Sequence, residues 1–184
     1  MALIEITEDQ HGVLLDLKYA TPDNFTRAPI YHAPHCYLHE EAEGLLRNAI
    51  EIADKQGYRF RIFDAFRPSE AQWKLWNHTP DPEFLADPRR GSPHSRGAAI
   101  DLTLVDQNGN DLEMGTGFDA FTPLSHHGNM GVSLEAQKNR LLLMGIMTTA
   151  GWDFYRNEWW HYQLFNARRL PTFSDTALPN RMMG

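Results

Sequence analysis

From His39 to Gln56 the apolar residues Ala42, Leu45, Leu46, Ala49, Ile52 and Ala53 recur at three- and four-residue spacings, the mark of one buried helical face. Gly57 follows where a left-handed stop is expected, so the spacing predicts a helix over this stretch. The period then changes. In Tyr58-Arg-Phe-Arg-Ile-Phe63, ring or aliphatic residues alternate with arginines before two apolar residues close the run, the pattern of a half-buried strand, and Asp64-Ala-Phe-Arg67 leaves its end. Pro68 and Ser69 open a second predicted helix through about Asn77. A long loop region follows, through Thr79-Pro-Asp-Pro82 and Asp87-Pro-Arg-Arg-Gly91, and loops of this length often serve a site.

Alternation returns in Ala98-Ala-Ile-Asp-Leu-Thr-Leu104, a predicted strand with Ile100, Leu102 and Leu104 on one face and Ala99, Asp101 and Thr103 on the other. Asn108-Gly109 is a hairpin-turn signal. Ser133 can cap a third helix to about Thr149, with Leu134, Leu141, Leu142, Met144 and Ile146 as core candidates and Gly151 as its stop. The aromatic run from Trp152 to Leu164 reads as strand. The sum is an α+β fold, a small and mainly antiparallel sheet flanked by helices. The 184 residues fit a single domain, with 171–184 as a weakly ordered tail.

Composition narrows the function classes. Apolar residues make up 42% and charged residues 22%, as in folded globular proteins. A net charge of −7 with scattered Lys and Arg argues against nucleic acid as a partner. Cys36 is the single cysteine, which excludes an intrachain disulfide and a multi-cysteine zinc site and fits a reducing compartment. The acidic start Met1-Ala-Leu-Ile-Glu-Ile-Thr-Glu-Asp9 lacks the basic and apolar regions of a secretory signal, and no run approaches the ~18 apolar residues of a membrane span. The expectation is a cytoplasmic protein without membrane partners.

Chemistry gathers in three places. His94 precedes the strand that carries Asp101, and imidazole and carboxylate are both good zinc ligands. Glu158-Trp-Trp-His161 supplies a third possible ligand and a carboxylate able to take a proton from an attacking water. Each has a plainer reading, a solvated loop histidine or a Trp-rich core strand. There is also a geometric obstacle: residues three apart in a regular strand point to opposite faces, so Glu158 and His161 share a site only if Glu158 lies in a preceding turn or the strand bends. Arg67 could stabilise an oxyanion, or simply pair with Asp64.

Taken together, Ser92-x-His94-Ser-Arg-Gly97-x-Ala99-x-Asp101, Glu158-x-Trp160-His161, Asp64-x-x-Arg67-Pro68 and Tyr19-Ala-Thr-Pro-Asp-Asn-Phe-Thr26 resemble the D-Ala-D-Ala dipeptidase family, which includes the vancomycin-resistance dipeptidases. That family lies within the zinc D,D-peptidases that share a fold with the hedgehog signalling domain. The resemblance spans roughly residues 14–163. It implies one zinc ion per chain on His94, Asp101 and His161, Glu158 as base and then acid, and Arg67 as stabiliser of the intermediate. It further implies that Tyr19, Ser92 and Asp119 line the pocket for a small dipeptide, with Asp119 holding its ammonium. The rivals are a carboxypeptidase or endopeptidase acting on longer cell-wall peptides, a non-haem iron oxygenase, which also uses two His and one carboxylate, and a zinc-binding protein without turnover. The oligomeric state is left open.

Overall fold

A five-stranded sheet runs through the computed structural model, which describes residues 2–184. In chain order the elements are β1 (Leu3–Glu5), α1 (Glu8–His11), β2 (Leu14–Leu15), β3 (Tyr37–His39), α2 (Glu40–Lys55), β4 (Arg59–Asp64), α3 (Ser69–His78), β5 (Ala99–Val105), α4 (Leu134–Thr149), β6 (Asp153–Phe154) and β7 (His161–Gln163). The sheet order is β2-β4-β5-β7-β6, with β2 parallel to β4 and the other pairs antiparallel. β1 and β3 form a separate antiparallel pair.

The long helices form where the sequence places them. Three glutamates, Glu40, Glu41 and Glu43, sit in the first turn of α2, at the positive end of its dipole, and Gly57 turns the chain out at φ 81°. Ala42, Leu46, Ala49 and Ala53 are fully buried. Ser133 caps α4 by accepting from the Ala136 N–H at 3.0 Å. The buried stripe of α4, however, is Ala136, Arg140, Leu143, Ile146 and Met147, whereas Leu134 and Leu141 of the predicted core are exposed. The run Leu141-Leu142-Leu143 covers more than one helical face, so its phase is set by what the helix packs on. α2 and α4 pack their apolar stripes with Phe60, Ile62, Ile100, Leu102 and Leu104 of the sheet into the main core.

The stretch from Trp152 to Leu164 is not one strand. It folds as a hairpin, β6 and β7 joined through 155–160, with Glu158 N donating to Tyr155 O and His161 N to Glu158 O. Aromatic content predicted a pleated surface, but the polar Arg156-Asn157-Glu158 makes the turn. At Asn108-Gly109 the chain does reverse, with Gly109 at φ 82°, but returns to β5 through a single bridge, Val105 to Asp111.

Residues 171–184 also depart from expectation, since they are not a loose tail. Leu178 and Met182 are buried in a second cluster with Tyr19, Tyr31, Tyr37, Phe66 and Leu85. Asp175 Oδ1 accepts from the N–H groups of Met182 and Met183, which ties the chain end to its own turn. Among the described residues no helix is long and apolar enough to cross a membrane.

Candidate metal centre

Strand register builds the centre. Asp101 lies mid-sheet on β5, directly opposite His161 on β7. On its other side the β4–β5 pairing slips by one residue between Ile62 and Asp64, so that Asp64 stands opposite Asp101. Without this bulge Phe63 would take that place, and Asp64 would face Ile100. Three polar residues, Asp64, Asp101 and His161, therefore run in a row across the sheet. His94 reaches them from a single helical turn, His94–Arg96, that ends at Gly97 with φ 65°. A Cβ on Gly97 would lie 2.8 Å from the His39 backbone nitrogen, so only glycine permits the turn to sit this close to β3.

The donor atoms converge. His94 Nε2 lies 3.2 Å from His161 Nδ1 and 3.3 Å from Asp101 Oδ2, and His161 Nδ1 lies 3.1 Å from Asp101 Oδ1. All three side chains are buried, with their ligand atoms within 4.8 Å of one another. The outer nitrogens face acceptors: His94 Nδ1 is 2.7 Å from Ala65 O, and His161 Nε2 is 3.0 Å from Gln163 Oε1. With protons on those outer nitrogens, two bare imidazole lone pairs and a carboxylate point at one another. Such a grouping repels itself unless a cation sits between, and two histidines with one carboxylate suit zinc and leave a position open. Burial works against the Asp101 charge, yet His94 and His161 outweigh it and hold the carboxyl below its usual range.

Glu158 occupies the turn before β7, which removes the strand-face obstacle. Its Oε2 is 3.7 Å from His161 Nδ1. Burial, with the nearby charges of Asp101 and Asp119, pushes its carboxyl well up, and Arg67 counters only in part. Arg67 makes the pair with Asp64 that the sequence allowed. Its Nε and Nη2 bond Asp64 Oδ2 at 2.9 and 2.8 Å, and Nη2 also reaches to 3.8 Å from Asp101 Oδ2. Asp64 is anchored in turn by the Tyr31 hydroxyl at 2.8 Å.

The donor triad, Glu158 and Arg67 line a cavity of about 220 Å³ together with Tyr19, Ser92 and Asp119. Tyr19 OH donates to Asp119 Oδ2 at 2.6 Å, and the Arg67 guanidinium lies over the Tyr19 ring at 5.0 Å. Burial pushes the Asp119 carboxyl up to about 7; the Tyr19 bond opposes this and the Asp101 charge adds to it. Ser92 Oγ accepts from the His94 N–H at 3.2 Å, so it also shapes the histidine turn. The loop after α3 supplies Pro82 to Ala86 as a wall. It is tied down by Tyr155 OH to Glu83 O at 2.8 Å, by Phe84 stacked on Phe121, and by Gln72, which joins Ala86 O to Arg67.

Sequence reasoning did not single out Gln163, Tyr31, Gln72 or Tyr155. Gln163 had a local signal, its two-residue spacing from His161 on one strand face. The other three join the site through contacts between distant segments, which no local pattern encodes.

A family model described as D-ala-D-ala dipeptidase, of the M15 peptidases, matches residues 1–179. A D-alanyl-D-alanine dipeptidase of Escherichia coli strain K12 is 46% identical over 161 residues, covering 88% of this chain and 83% of that protein. One from Enterococcus faecium is 38% identical over 181 residues, covering 86% and 89%. Another, from Enterococcus faecalis, is 32% identical over 194 residues, covering 94% and 96%.

Proposed function

We propose that the chain, which belongs to the D-Ala-D-Ala dipeptidase family and is a zinc-dependent hydrolase of D-Ala-D-Ala-type substrates, cleaves the free dipeptide, using Glu158 to move the proton and Arg67 to receive the developing charge. The observation that carries this reading is the half-buried Asp119, which lines the same small cavity as Glu158 and the donor triad.

His94, Asp101 and His161 would hold the zinc, which supplies an acidified water and a Lewis acid for the scissile carbonyl. The remaining work falls to the protein's own groups. Glu158, set in the turn beside His161, takes the proton from the attacking water and passes it to the leaving amine. The raised affinity of its carboxyl for a proton suits both halves of that transfer. Arg67, held in place by Asp64 and Gln72, presents its guanidinium beside Asp101, where it can stabilise a carbonyl oxygen as charge develops on it.

Asp119, oriented by Tyr19, pairs with the substrate ammonium, and Ser92 lies on the wall available to its polar groups. A cavity of about 220 Å³, below the ~300–1,000 Å³ of pockets for drug-sized ligands, is of a size to take a dipeptide. A cytoplasmic setting accords with the lone, buried and reduced Cys36.

The test compares D-Ala-D-Ala, L-Ala-L-Ala and N-acetyl-D-Ala-D-Ala, each with and without chelator, by free alanine released. Rapid, chelator-sensitive release from D-Ala-D-Ala with little from the other two is expected. Comparable cleavage of the N-acetyl compound would transfer the assignment to a carboxypeptidase, because a blocked amine gives Asp119 no cation to bind.

A further inference from the structure

We propose that Gln163 is a positioning residue for the metal centre: its side-chain oxygen fixes the tautomer and ring orientation of His161, so that Nδ1 presents a bare lone pair to the ion. The proposal rests on the metal reading given above and assigns a role to a residue outside the donor triad.

His161 and Gln163 are two apart on β7 and so share one face of the sheet. The strand is paired on both sides, with Gln163 opposite Ala99 of β5 and Asp153 of β6, and His161 opposite Asp101. The backbone thus holds the two side chains in a fixed relation, and Gln163 Oε1 meets His161 Nε2 at 3.0 Å.

A neutral imidazole has one N–H and one lone pair. Acceptors on both sides compete for the His161 proton: Asp101 Oδ1 at 3.1 Å and His94 Nε2 at 3.2 Å from Nδ1, and Gln163 Oε1 at 3.0 Å from Nε2. If Asp101 wins, Nδ1 carries the hydrogen and is blocked as a ligand. If Gln163 wins, the proton sits on Nε2 and Nδ1 faces the other donors. Gln163 thus opposes the tautomer that the centre's own carboxylate favours.

His94 receives the equivalent service from a backbone carbonyl, Ala65 O, at 2.7 Å from Nδ1. The two histidines are consequently poised through different nitrogens, Nε2 of His94 and Nδ1 of His161. Only the latter arrangement depends on a replaceable side chain. Outer partners of metal-bound histidines are commonly worth 10–100-fold in affinity.

Gln163→Met removes the acceptor with little change of length and none of charge; Gln163→Glu keeps an acceptor in place. Zinc affinity is measured for wild type and both variants by competition with a chromophoric chelator, with the cobalt(II) absorption spectrum as a second readout. Gln163→Met is expected to bind zinc about 10- to 100-fold more weakly and to show an altered cobalt spectrum, while Gln163→Glu binds at least as tightly as wild type. Affinity of Gln163→Met equal to wild type overturns the proposal. So does a loss of about tenfold or more in Gln163→Glu, the arm that decides if the Met variant does not fold. A wild-type protein that binds no zinc is a different result: it overturns the metal reading, and this inference with it.

Discussion

A carboxylate that must gain and lose a proton works best where its charge is neither freely solvated nor firmly paired. Glu158 meets this condition: it is buried, its carboxyl is raised by burial and by Asp101 and Asp119, and Arg67 supplies part of the balancing charge. It stands outside the donor triad, which predicts a separation of binding from turnover. Glu158→Gln should still bind one zinc per chain but lose about 10²- to 10⁴-fold in kcat. Steady-state kinetics beside zinc titration of the same preparation check this, and full activity in the variant removes Glu158 from the mechanism. At this scale the residue types of His94, Asp101, Glu158 and His161 were legible in the sequence, but each alone had a plainer reading and only the motifs taken together joined them. Gln163 was not among them, since an amide next to a strand histidine is ordinary until its oxygen is found on Nε2.

Elements bring these residues together, and they do so through register. The bulge in β4 puts Asp64 next to Asp101, and the β6–β7 turn lifts Glu158 out of the strand that the aromatic run had suggested. The segment between β5 and α4, which carries Asp119, has little regular structure of its own. It is fastened by Arg140 of α4, whose Nε donates to Met114 O at 2.7 Å and whose Nη1 donates to Leu124 O and His126 O at 2.9 and 3.2 Å. Arg140→Met should leave these carbonyls unpartnered, lower stability by about 2–3 kcal/mol and raise KM more than it lowers kcat, because Asp119 loses its support while Glu158 keeps its own. Denaturant melts and a KM-against-kcat comparison test this. The sequence marked α4 but not its phase, and so did not show that an arginine faces inward among apolar neighbours.

For the whole molecule, pH provides a probe away from the metal centre. Burial holds His127 down at about 4, from an ordinary 6.5, with the Arg140 charge adding to the effect. Its Nε2 has no hydrogen-bond partner among the described residues, and its ring packs against Phe154 and Tyr162. The unfolded chain therefore binds a proton at this position between pH 6.5 and 4 where the folded chain does not. The sign follows: stability from His127 is intact above about 6.5 and is lost as pH falls toward 4. In chelator-treated protein, His127→Gln should gain on wild type by about 2–3 kcal/mol between pH 7 and 4. A constant difference across that range, measured by denaturant unfolding, would show that His127 charges freely in the fold.

Local sequence determined the helical period of α2, the alternation of β4 and β5, the caps at Ser133 and Gly57, and the kinds of side chain at 94, 101, 158 and 161. Each of these is a property of neighbouring residues and the backbone geometry they favour. The tertiary structure decided which face of α4 is buried, that Trp152 to Leu164 is a hairpin, and that residues 171–184 pack into a second core. It also decided that a loop, a central strand and a hairpin deliver their donors to one point. Those outcomes depend on pairings between segments far apart in the chain, where a one-residue slip would turn Asp101 or His161 to the opposite face. The sequence holds the chemistry as a list of residues, and the sheet register makes a site of it.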